Sequence, residues 1–168
     1  MRTAPALVLV LAAIVLTTVL AIASPPVHAV LDPERLPGWQ VLKTEHSYAA
    51  LVERLETAIA ANKMGLVSRA SATLGAKRVL NTTIPGNTVI GVYRPDFAVR
   101  MLEASLAAGI EAPIRFYVTE NADGSATLSY KTPSAVFTPY ADGGEALKTL
   151  AEELDAIFAK IAADATGR

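Results

Sequence analysis

Leu51, Val52, Leu55, Ala58 and Ile59 recur at three- and four-residue spacing, with polar residues between them. That period predicts a helix from Tyr48 to about Met64, capped by Ser47 and stopped at Gly65. The same spacing returns in Leu147, Leu150, Ala151, Leu154, Ile157, Phe158 and Ile161, predicting a last helix from Glu145 to about Ala165. A further helix, Phe97 to Ala108, fits between a cap at Asp96 and Gly109. Elsewhere the period drops to two. Trp39–His46, Leu66–Leu74, Thr88–Arg94, Ile114–Glu120 and Ala126–Lys131 read as strands, the last two joined by a turn around Asp123-Gly124. Residues 75–81 carry no clear period, and Pro133 and Pro139 bound an irregular stretch. The pattern predicts a two-layer α+β sandwich, with about five strands and the helices on one sheet face.

The first residues follow another pattern. Ala6 to Ala23 is an apolar run broken only by Thr17 and Thr18, preceded by Arg2 and followed by Pro25 and Pro26. Val27-His28-Ala29 suits cleavage after Ala29, which makes residues 1–29 a signal peptide. The run is also longer than the ~15 residues of an ordinary signal core, and at about 27 Å it nearly spans a bilayer. An uncleaved membrane anchor is the alternative. Both place the remainder in the periplasm or on the extracytoplasmic side of the inner membrane. Residues 30–40 form a lead-in, and 41–165 form a single domain.

Composition narrows the chemistry. The 168-residue chain has 15 basic and 16 acidic residues, so its bulk charge gives no reason to expect nucleic acid as a partner. It has no cysteine, which excludes disulfides, thiol catalysis and thiolate metal sites. Of its two histidines, only His46 follows the leader, and neighbouring Glu45 points to the opposite strand face. A serine triad or a metal centre on His46 is therefore disfavoured. No glycine-rich phosphate loop is present, and no catalytic residue, metal or cofactor is expected.

Gly86-Asn-Thr-Val-Ile-Gly-Val-Tyr-Arg-Pro-Asp-Phe-Ala-Val-Arg-Met-Leu102 and Glu111-Ala-Pro-Ile-Arg-Phe-Tyr-Val-Thr-Glu-Asn-Ala-Asp-Gly-Ser-Ala-Thr-Leu-Ser-Tyr-Lys-Thr-Pro-Ser134 resemble the central motifs of the domain-of-unknown-function 302 family. In order of elements the resemblance runs from about Val41 to Ala163. It implies a small α+β domain with a mixed sheet that tends to associate as dimers, and it implies no activity. The chain departs from many relatives at Gly91-Val-Tyr-Arg-Pro95, where they carry Gly-Asn-Pro, and at Arg69–Thr73, where they carry a histidine.

The remaining signal lies on the sheet. Ile114, Phe116 and Val118 share one strand face, whereas Arg115 and Tyr117 point the other way. The same alternation puts Tyr93, Ser129 and Lys131 on the face away from the helices. Aromatic groups with arginine suit a protein interface or an anion-binding cleft. Arg94 and Arg100 flank the start of the helix at 97 and are candidate counter-charges, with an Asp96–Arg100 pair one turn apart. Two functions follow. One is a non-catalytic interaction module, a homodimer or an accessory subunit docked on an envelope or inner-membrane protein. The other is a periplasmic binding protein for a small anionic or amphipathic ligand.

Overall fold

The computed structural model describes residues 36–168, so the expected leader, residues 1–29, lies outside the described residues. Five strands form one sheet: β1 (Trp39–Ser47), β2 (Gly65–Ala70), β3 (Asn87–Tyr93), β4 (Ile114–Glu120) and β5 (Ser125–Lys131). Their order across the sheet is β1-β5-β4-β3-β2, and every neighbouring pair is antiparallel. The sheet is therefore not mixed. β1 and β2 run the same way, but they lie at opposite edges, so the helix joining them crosses the whole sheet.

That helix is α1 (Tyr48–Ala61). The Ser47 hydroxyl accepts from the Ala50 amide at 3.4 Å, and the apolar stripe from Leu51 to Ile59 is buried. The helix ends at Ala61, four residues before Gly65, because the Asn62 side chain donates to Ala58 O at 2.8 Å, and Lys63 then turns at φ 58°. This turn brings Met64 into the core. α3 (Pro95–Ala104) starts on Pro95, whose missing amide costs nothing in a first turn, and a short 3-10 turn, Ala107–Glu111, follows it. α5 (Gly144–Thr166) is the long last helix.

These three helices cover one sheet face. Phe116 on β4, Tyr130 on β5 and Phe158 on α5 form an aromatic joint between the layers. The Phe116 and Phe158 rings stack with centroids 4.6 Å apart, and Tyr130 lies 5.2 and 5.8 Å from them. Ile90, Val118, Leu128, Leu51, Leu55 and Leu150 complete a core whose members are almost fully buried.

Two short helices depart from the sequence expectation. Ser71 ends β2 and caps α2 (Ala72–Gly75), which continues as a π-helical turn, Ala76–Leu80, so the expected strand stops at Ala70. The stretch bounded by Pro133 and Pro139 contains α4 (Pro133–Phe137), capped by the Thr132 hydroxyl. Asp155 on α5 accepts from both the amide and the hydroxyl of Ser134, tying α4 to the helical layer.

Candidate functional site

The helices leave the other sheet face open, and strand register sets which side chains meet there. Val89 stands opposite Tyr117, Tyr117 opposite Ser129, and Ser129 opposite Val41. The next row holds Gly91 opposite Arg115, and Lys131 opposite Trp39. Of these rows, Val89, Tyr117, Ser129, Arg115, Lys131 and Trp39 line a cleft of about 620 Å³, bordered by Ser71 and Ala72 at the β2 end and by Val136 of α4 at the β1 end. That volume lies within the roughly 300–1,000 Å³ of small-molecule sites.

Arg115, Tyr117, Ser129 and Lys131, singled out by strand alternation, all line this cleft. Tyr117 is half-buried and Ser129 is fully buried, whereas Arg115 and Lys131 are exposed at the rim. The Ser129 hydroxyl faces the Tyr117 carbonyl at 3.5 Å. Trp39 stands beside Lys131, whose ammonium lies 5.8 Å from the indole centroid. The cleft also holds a carboxylate, Glu111. One of its oxygens accepts from the Tyr140 hydroxyl at 2.7 Å, and the other lies a loose 3.9 Å from Arg115. The same bond raises the Tyr140 hydroxyl above its ordinary pKa, because ionising it would put two anions together. With two cations against one carboxylate, the cleft is net positive.

The other three candidates lie elsewhere. Tyr93 is at the end of β3, opposite Gly65, and does not line the cleft. Arg94 does not face the cleft either. Its guanidinium binds Asp96 through two bonds of 2.8 and 3.0 Å and covers the Phe97 ring at 4.1 Å. Arg100 reaches across to α5 and binds Glu153 through two bonds of 2.7 Å. The expected Asp96–Arg100 pair is thus replaced by two others, because Glu153 offers Arg100 a carboxylate in fork geometry. The Arg94 bond holds Asp96 below its ordinary pKa, and the Arg100 bond does the same for Glu153. Between α3 and the sheet there is a cavity of only about 30 Å³, room for about one water and no ligand.

Sequence reasoning missed Trp39, Val89, Asn87 and Val136 as cleft residues. Trp39 shares its strand phase with Val41, which was a usable signal. Nothing in the chain says that β1 pairs with β5, and only that pairing sets Trp39 beside Lys131. Chemically, the cleft offers aromatic and aliphatic walls, hydroxyls and two cations. No histidine lines it, and among the described residues no three His, Asp or Glu side chains could hold a metal ion.

No curated protein shows a significant sequence match to the chain. Among solved structures, the fold matches the crystal structure of an uncharacterised conserved DUF302 protein from Bacillus stearothermophilus with a TM-score of 0.66 at 18% identity. The match covers 75% of this chain and 96% of that one. The shared sheet-and-helix fold therefore makes up nearly the whole of that chain. The family described as a domain of unknown function, DUF302, matches residues 40–165. By that match, and by the shared fold, the chain belongs to the DUF302 family.

Proposed function

We propose that this domain is a non-catalytic, exported binding module whose open sheet face holds a small amphipathic anion. One observation carries the reading: the cleft of about 620 Å³ joins apolar walls to two rim cations. Trp39, Tyr117, Val89 and Val136 would take the apolar body of a ligand, and Arg115 and Lys131 its charged end. No histidine lines the cleft to serve as a general base beside its serines, which supports binding over turnover.

The test is thermal stability with decanoate, decyl sulfate and uncharged decanol. A ligand that binds only the folded state stabilises it by RT ln(1 + [L]/Kd), about 2.7 kcal/mol at a hundredfold excess over Kd. Both anions should raise the melting temperature more than decanol does, and Arg115→Gln with Lys131→Gln should remove that advantage. Equal shifts with all three compounds, or none, refute the reading.

A second reading has its own support. Val99 and Leu102 on α3, and Leu106 and Ile110 just after it, are 44–81% exposed. Four such aliphatic side chains so near in the chain fit docking on an envelope partner or a second copy, with the contact on the helical layer rather than on the open sheet face. Leu106→Ser with Ile110→Ser should then lower the native mass from that of a complex to that of a monomer. A parent that is already monomeric in its native extract removes this reading.

A further inference from the structure

A different part of the molecule has a chemistry that the cleft does not use. From Thr57 to Pro95 the chain contains no aspartate or glutamate, yet it carries Lys63, Arg69, Lys77, Arg78 and Arg94. Arg69 is matched by Glu56 at 2.6 Å and Arg94 by Asp96. Lys77 and Arg78 make no ion pair among the described residues; Lys77 reaches only the neutral amide oxygen of Asn81, at 3.3 Å. Both sit in the helical segment Ala72–Leu80 among protruding aliphatic side chains, with Leu74 63%, Val79 76% and Leu80 70% exposed.

We propose that this segment docks the domain on an anionic lipid surface. Aliphatic side chains flanked by cations are what an interfacial helix needs: the first enter the headgroup boundary while the second meet lipid charge. The backbone suits that boundary because amides along it are paired: Gly75 N donates to Ser71 O, Leu74 N to the Ser71 hydroxyl, Ala72 N to the Asn87 side-chain oxygen and Thr82 N to Ala76 O. The charge pattern disfavours a second copy as the occupant. A twofold contact sets each residue patch against its own equivalent, and Lys77 and Arg78 would face Lys77 and Arg78 with no carboxylate from this stretch between them.

The test is sedimentation with vesicles of phosphatidylcholine, with and without phosphatidylglycerol. It uses the chain from Val30 onward, which contains the whole described fold and leaves out the apolar run at 6–23. The protein should sediment with the anionic vesicles and not the neutral ones, and high salt should weaken binding. Lys77→Gln with Arg78→Gln should lower the partition coefficient about thirty-fold, the combined contribution of two basic side chains at such a surface. Val79→Ser with Leu80→Ser should also weaken it, and both pairs, being exposed, should leave the melting temperature unchanged. No binding to anionic vesicles at low salt overturns the proposal, as does equal binding to neutral ones. It is also overturned if the segment variants bind like the parent while the cleft pair, Arg115→Gln with Lys131→Gln, loses binding. Self-association without lipid that the Lys77 and Arg78 variant abolishes overturns it in favour of a second copy.

Discussion

Phe158→Ala puts the joint between the two layers to a quantitative test. Phe158 is 0% exposed, stacked on Phe116 at 4.6 Å and 16° between ring planes, with Tyr130 tilted 51° at 5.8 Å. Truncation removes a buried ring and leaves a void that strands β4 and β5 cannot close, since each is hydrogen-bonded on both sides. Substitutions of this kind cost about 3–5 kcal/mol, the upper part fitting a site that does not collapse. Small domains have only about 5–15 kcal/mol in all, so the loss is a large share. Urea unfolding is the assay. With a slope of roughly 1–3 kcal/mol/M the midpoint should fall by about 2 M with the slope unchanged. Val99→Ala, at an exposed position on α3, should cost less than about 0.5 kcal/mol. A Phe158→Ala loss no larger than the Val99→Ala loss would refute the assignment of the aromatic cluster as the joint.

Other outcomes follow from local chemistry. The Tyr48 hydroxyl is bonded to that of Thr88, which is 1% exposed, so Tyr48→Phe strands a buried polar group and should cost about 1–3 kcal/mol in urea. Arg100 depresses the pKa of Glu153, so their bridge between α3 and α5 contributes fully above the carboxylate's ordinary 4.5 and is lost as the pH falls through the lower folded value. The parent should therefore lose more stability than Glu153→Gln on acidification below that point, and parallel pH profiles would contradict the bridge. Val89→Phe should fill the cleft floor, weakening decanoate binding in calorimetry while the far-ultraviolet circular dichroism stays that of the parent.

How far the sequence carries the fold can be judged residue by residue. The stripes of α1 and α5 and the alternation of β3, β4 and β5 are local periodic signals, and they mark Leu51, Phe158 and Phe116 as core and Arg115 and Tyr117 as the other face. Sheet direction is not a local property. A mixed sheet was expected, and the order β1-β5-β4-β3-β2 makes every pair antiparallel. The segment 72–80 lacks a readable stripe because its aliphatic residues are exposed, so burial imposes no period on them. The sequence offers Arg94 and Arg100 as counter-charges for a ligand, but the fold pairs both with carboxylates of its own. Asp96 lies two residues from Arg94, within local reach, but Glu153 is 53 residues from Arg100, and only the packing of α3 on α5 brings it there.

Trp39 gives the cleft its own reporter, because it is the chain's only tryptophan and stands within reach of the Lys131 ammonium. The most direct measurement is a titration of its fluorescence with decanoate, run in the parent and in Arg115→Gln with Lys131→Gln. If the open face holds an amphipathic anion, the emission of the parent changes saturably, and the double variant needs at least tenfold more ligand, the weakening expected from losing hydrogen bonds to a charged group. Trp39 emission that does not respond to decanoate, or that responds identically in the parent and the variant, would contradict the account.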